Sequence, residues 1–152
     1  DVELSLRLQK ASAISRFIPE AHVYHKRRAT LKQFRRQVFR FGAARPLLAK
    51  AHPGNLKLTH LFPLVFTLYR YLTAIFAVLG IFYFHNSLFA MPFALYVFYM
   101  FAVFLTALRH EGLAVALRVI QTTNTMNEGY GIGFLRNFIE VYLKGNPKGI
   151  KL

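Results

Sequence analysis

Apolar residues change their spacing along the chain, and each spacing predicts a different element. In residues 1–12, "DVELSLRLQKAS", the apolar positions fit both strand alternation and one helix face. The good helix formers there favour a helix, with Asp1 as its N-cap. Residues 13–25 resemble one or two short extended segments that are broken at Pro19.

Residues 30–44 carry apolar side chains at intervals of three and four on a background of Lys, Arg and Gln. This pattern predicts an amphipathic helix with one apolar stripe and a basic opposite face. Thr30 is a suitable N-cap, and Pro46 is expected to limit the far end. The composition is typical of a helix that lies in a membrane interface with its cations among the headgroups.

Two long apolar runs follow, at residues 64–84 and 88–108. Each is long enough to cross a hydrocarbon core of about 30 Å, which takes roughly 20 helical residues. Only "HNS" separates them, so we expect an antiparallel transmembrane hairpin. Arg70 is close enough to the start of the first run to snorkel to the interface. A pair of buried core helices is the alternative, but such long neighbouring runs exceed what a small soluble core needs.

Charged residues are separated from the apolar runs along the chain, and this separation limits the classes of molecule that we expect the protein to bind. The 152 residues have a net charge of +14 although 55% are hydrophobic, and Ala21–Phe62 contains ten Lys or Arg and no Asp or Glu. A soluble nucleic-acid binder would spread its charge over a polar fold, so nucleic acid is not an expected partner. Basic flanks on both sides of the hairpin, with none at its tip, predict that both ends are cytoplasmic.

Three short motifs, in order, resemble those of family 2 glycosyltransferases. "DVELSLRLQKA" resembles the second half of their acidic motif E-D-x-E-L-x-x-R-L, and "PEAHVYHKRRAT" follows at a suitable distance. Gln37, Arg40 and Phe41 then match Q-x-x-R-W, with Phe in place of Trp. The later "GYGIGFLRNF" is similar to the tail of bacterial integral-membrane members of the family.

The resemblance implies an α-helical membrane protein fragment that begins at the edge of a GT-A α/β domain. Residues 1–29 would be the C-terminal part of that domain, residues 30–60 an amphipathic interfacial segment and residues 61–110 the transmembrane hairpin. Residues 111–152 would form an interfacial or cytoplasmic tail with one or two helices, a third span being less expected. The donor-binding half, with its D-x-D motif, would lie outside this sequence, and we expect the fragment to be inactive alone.

The activity implied is an inverting transfer of sugar from a nucleotide-sugar donor to a lipid-linked or glycan acceptor. It would serve cell-surface polysaccharide or glycolipid synthesis at the bacterial inner membrane. A divalent metal, Mg or Mn, would be bound mostly by the half outside this sequence. The alternative is a non-enzymatic membrane anchor whose basic helix binds anionic lipid or a partner protein.

Individual roles also come from the resemblance. Asp1 would be the general base that takes the proton of the acceptor hydroxyl, although a plain N-cap is the simpler interpretation. His25 would complete the metal shell, with His22 as the competing candidate. In the matched motif of Gln37, Arg40 and Phe41, the arginine would contact the donor diphosphate and the ring would stack on a sugar. Phe in place of Trp favours single-sugar transfer over processive synthesis.

The remaining cations have a simpler explanation. A basic run beside a membrane span is expected to contact anionic lipid. Arg27 and Arg28 are the two cations in this run that we also expect to touch a donor phosphate or a lipid phosphate acceptor.

Overall fold

The computed structural model describes residues 2–25, 29–146 and 148, and helices dominate it. About three quarters of the chain (77%) is helical, and no described residue lies in a strand. The five helices of the described part are α1 (Val2–Lys10), α2 (Leu31–Ala51), α3 (Phe62–Phe82), α4 (Met91–Glu111) and α5 (Leu113–Phe138). Short 3-10 turns precede α3 and α4 at Leu58–His60 and Ser87–Ala90, and a π-helical turn, Ile139–Leu143, follows α5.

The expected edge of a GT-A α/β domain does not form in the described residues. Helix α1 agrees with the preference for helix in residues 1–12, but the segment that was expected to be extended has no regular structure. Its large apolar side chains are almost fully exposed: Ile14 (97%), Phe17 (86%), Val23 (90%) and Tyr24 (97%). A strand needs a neighbour to pair its backbone groups, and the described residues provide none.

Helix α2 begins where the sequence predicts and ends later. The Thr30 hydroxyl accepts a hydrogen bond from the backbone N–H of Gln33 at 3.2 Å, which confirms Thr30 as the N-cap. Pro46 was expected to limit the helix, and this prediction is wrong because α2 continues to Ala51.

Pro46 is tolerated because α5 covers the turn that contains it. Proline has no amide hydrogen, so the Gly42 carbonyl lacks its usual donor four residues later. The Pro46 ring is fully buried, and the side-chain amide of Asn137 donates to the neighbouring Ala43 carbonyl. Tertiary contacts therefore support the turn that proline weakens.

Helices α3 and α4 confirm the prediction of two helices that are long and apolar enough to cross a membrane. The first is Phe62–Phe82, and the second, with its preceding 3-10 turn, is Ser87–Glu111. Only 22% and 6% of their most apolar windows are buried, so most of this apolar surface faces outward and suggests a membrane protein. Phe66 packs on Tyr99, and Phe76 stacks on Phe89, so the two helices run antiparallel.

Helix α5 lies in the segment that was expected to form an interfacial or cytoplasmic tail with one or two helices, and it packs against the other three long helices, α2, α3 and α4. A Cβ atom on Gly129 would lie 2.7 Å from Val38 Cγ2, and one on Gly133 would collide with the Phe39 carbonyl oxygen. The two glycines, one turn apart, thus allow the backbones of α2 and α5 to approach closely, as small residues do between membrane helices.

We predict that Gly133→Ala destabilises the bundle. Alanine is normally better than glycine in a helix by about 1 kcal/mol. Here its Cβ would meet backbone atoms of Phe39, which cannot move aside cheaply, so overpacking should cost about 1–3 kcal/mol. Thermal unfolding of the protein in detergent, followed by circular dichroism, measures the change.

Gly131→Ala is the matched control, because a Cβ atom there would come no closer than 3.0 Å to its neighbours on α3. Equal or higher stability of the Gly133 variant relative to the Gly131 variant would contradict the close backbone contact.

Candidate functional site

The three residues of the Q-x-x-R-F motif lie on α2, but they face different surroundings. Gln37 is half-buried, whereas Arg40 and Phe41 are exposed. Phe41 lines an open groove, while neither Gln37 nor Arg40 is among the described residues that line it. The motif is thus divided between a groove wall and the outer surface of the helix.

The other predicted site residues lie apart from this motif or outside the described part. His25 is exposed in the irregular segment before α2. Asp1, Arg27 and Arg28 lie outside the described residues, so their roles stay predictions.

The groove lies between α1, α2 and the part of α5 around Tyr130, and has a volume of about 920 Å³. Its α2 wall is largely apolar and consists of Phe41, Ala44, Leu47, Leu48 and Ala51. Three polar side chains also line the groove: Arg45 and Lys50 of α2 and Tyr130 of α5. An apolar trough with a few cations suits a ligand that is itself amphipathic.

Helix α1 closes the groove at the C-terminal end of α2. Lys10 Nζ donates to His52 Nδ1 at 2.9 Å, and the Glu3 carboxylate lies 3.8 Å from His52 Nε2. Val2 and Glu3, from the segment that resembles the acidic motif, therefore line the same groove as Phe41. Phe41 precedes His52 by eleven residues of α2, a helical rise of about 16 Å, so the two segments stand at opposite ends of the groove.

A second polar site joins four helices around one carboxylate. Glu128 of α5 pairs with Arg70 of α3 at 2.8 Å and with Arg35 of α2 at 3.2 Å. Arg70 also donates to Asn124 Oδ1 at 2.8 Å, and the Tyr96 hydroxyl of α4 donates to the same oxygen at 2.7 Å. We call these five residues, Arg35, Arg70, Tyr96, Asn124 and Glu128, the Glu128 cluster.

The sequence did not reveal this cluster, because Arg70 was expected to snorkel. Its side chain is instead only 16% exposed, and its guanidinium also lies 4.4 Å from the centre of the Tyr71 ring. A charge within a membrane-length helix is costly unless it finds a partner inside the protein. The signal for that partner was Asn124 and Glu128, which lie four residues apart on one face of α5.

The Glu128 carboxylate is suited to hold these cations at neutral pH. Burial raises the pKa of Glu128, but the hydrogen bond and the charge of Arg70 outweigh burial and hold that pKa below its ordinary value. The carboxylate therefore stays ionised and faces two guanidinium groups, which leaves the cluster with a net positive charge.

A metal site is not apparent in the described residues, where no group of three or more His, Asp or Glu could hold an ion. The metal role of His25 stays a prediction.

No protein-family model, curated protein or solved structure matches this chain. Any functional assignment therefore depends on the residues and geometry given above.

We predict that Glu128→Gln lowers stability at neutral pH by about 1–3 kcal/mol, because the pair is partly buried and its loss costs less than the loss of a fully buried pair. Chemical unfolding in detergent at pH 7 measures it. Glu140→Gln is the matched control, because it also removes an ion pair, but its partner Lys144 is 64% exposed. A larger loss in the Glu140 variant would contradict the structural role of the cluster.

The same variant should also change the response to acid. Because the folded pKa of Glu128 is lowered, its stabilising effect is fully present above the unfolded pKa of about 4.3 and is lost as the pH falls through the lower folded value. We expect the wild-type protein to lose stability across this acid range and Glu128→Gln to lose less. Parallel acid-unfolding curves for the two proteins would contradict the expectation.

Proposed function

We propose that this chain is the acceptor side and membrane region of a membrane-bound inverting glycosyltransferase. The GT-A α/β fold belongs to this proposal, with its donor-binding half outside the sequence. The proposed reaction moves a sugar from a nucleotide-sugar donor to a lipid-linked or glycan acceptor. We place the protein in the bacterial inner membrane as a multi-pass protein with both ends in the cytoplasm, from its basic flanks.

One observation carries the proposal. Two segments whose sequences resemble family motifs lie about thirty-five residues apart in the chain, yet both line one groove: Val2 and Glu3 from one end, Phe41 from the other. The groove is open, largely apolar and roughly as long as ten residues of α2, about 15 Å. These properties suit an extended acceptor.

The proposed chemistry is a direct displacement at the anomeric carbon of the donor sugar. Asp1 takes the proton of the acceptor hydroxyl, whose oxygen bonds to the anomeric carbon while the bond to the diphosphate leaving group breaks. Arg40, with Gln37 one turn before it, binds the diphosphate, and Arg27 and Arg28 add phosphate contacts. Phe41 stacks on a sugar, and His25 would help to hold a divalent metal ion, which would offset the negative charge of the diphosphate.

Asp1→Asn tests the mechanism in the full chain that contains the donor-binding half. Because general-base catalysis contributes typically about 10²–10⁴-fold, we expect sugar-nucleotide turnover to fall by that factor while donor affinity changes little. Glu111→Gln is the control, since it removes a carboxylate at the end of α4, outside the groove. Unimpaired turnover in Asp1→Asn would remove Asp1 from the mechanism.

The second candidate function is a non-enzymatic membrane anchor, and one observation favours it. Lys32, Arg36 and Arg40 are spaced by four residues along α2, and all are exposed. Such a row of cations suits an anionic lipid surface or an acidic partner. The segment before Asp1 distinguishes the two functions: a strand pattern followed by D-x-D, with Glu immediately before Asp1, supports the enzyme, and its absence supports the anchor.

A further inference from the structure

The groove lies at the level where the first membrane-length helix begins. A Cβ atom on Gly131 would lie about 3.0 Å from Leu64 Cα and from the Pro63 carbonyl, so this part of α5 is level with the first turn of α3. The adjacent residue, Tyr130, lines the groove. If α3 crosses the membrane, the groove therefore opens beside the boundary between hydrocarbon and headgroups.

The cations of the groove are not neutralised by acidic side chains of the described part. No ion pair there joins Arg45 or Lys50 to a carboxylate, and Lys50 Nζ donates to the Val141 carbonyl at 3.4 Å. Glu3 is the acidic residue among the described lining, and it is 2.9 Å from Arg7 on its own helix. The groove thus offers two positive charges to an incoming anion.

Arg45 and Tyr130 line the same groove. Burial raises the pKa of Tyr130, and the charge and hydrogen bond of Arg45 lower it less than burial raises it, so the hydroxyl keeps its proton. A guanidinium and a neutral hydroxyl in one groove can donate several hydrogen bonds to the oxygen atoms of one ligand. Phosphate oxygens match this arrangement, because the arginine fork can donate two parallel hydrogen bonds to them.

We propose that this groove binds one anionic phospholipid of the surrounding membrane. Its phosphate contacts Arg45 and Tyr130, Lys50 adds a second cation, and one acyl chain lies along Leu47, Leu48 and Ala51. A volume of about 920 Å³ lies near the upper end of the usual range for small-molecule sites, about 300–1,000 Å³, and so suits a phosphate headgroup with part of one acyl chain. This proposal does not rest on glycosyl transfer, although the lipid would occupy the groove that the acceptor of that reaction would use. Its residues differ from those of the exposed row on α2 formed by Lys32, Arg36 and Arg40.

Native mass spectrometry of the full chain tests the proposal. The protein in detergent is mixed with phosphatidylglycerol or with phosphatidylcholine of the same acyl chains. We expect one phosphatidylglycerol molecule per protein and much weaker retention of phosphatidylcholine. At about 1 kcal/mol per cation, Arg45→Gln combined with Lys50→Gln should weaken retention of phosphatidylglycerol about thirty-fold.

Arg109→Gln combined with Arg118→Gln is the matched control, because it removes the same charge from exposed positions outside the groove. Its retention should equal that of the wild type. Equal retention of the two lipids by the wild-type protein, or equal loss in the two double variants, would overturn the site.

The Ala51→Phe variant tests the binding of the lipid acyl chain separately from the binding of the phosphate. It fills the apolar end of the groove and leaves both cations, so lipid retention should fall while the thermal unfolding curve stays cooperative. Inorganic phosphate at millimolar concentration should not displace the lipid. Unchanged retention in Ala51→Phe, or displacement by phosphate alone, would show that no acyl chain is bound and would overturn the proposal.

Discussion

The ion pair between Arg70 and Glu128 is the constraint on which the arrangement of the bundle depends. Arg70 lies within a helix that is otherwise apolar enough to cross a membrane, and its charge needs a partner from the protein. Glu128 provides it only because α5 passes α3 at that level. A buried pair adds little net stability, since desolvation offsets most of the attraction. Its main effect is to make other positions of α5 unfavourable.

The glycines of α5 determine how closely α2 packs against it, and this packing determines the shape of the groove. With α5 fixed against α3, Gly129 and Gly133 allow α2 to pack on its other side at backbone distance. On α2, Gly42 lies against the Tyr130 backbone, whereas its neighbour Phe41 is 55% exposed in the groove. The groove is thus the outer side of a close helix contact, and the same contact that buries Gly42 orients Phe41.

Local sequence signals were sufficient to predict the long helices before α5. The features that the sequence did not predict depend on contacts between residues that are far apart in the chain. The hydroxyl of Thr30 and two runs of about twenty apolar residues are sufficient to locate α2, α3 and α4. The prediction that Pro46 ends α2 was wrong because packing against α5, which is distant in sequence, compensates for the helix stability that proline removes. The role of Glu128 was missed for the same reason, since its partner Arg70 lies 58 residues away in the sequence. No described residue forms a strand beside residues 13–25, so their apolar side chains have no sheet in which to pack.

The divided Q-x-x-R-F motif gives α2 two separate sides in the proposed enzyme. Arg40 and Phe41 are adjacent on α2, but of the two only Phe41 is among the described residues that line the groove. A donor diphosphate bound by Arg40 would then approach α2 from outside the groove, while the acceptor would lie within it against Phe41. In this arrangement the two substrates would have to meet at the edge of α2, and the Glu128 cluster holds α2 to the membrane helices through Arg35.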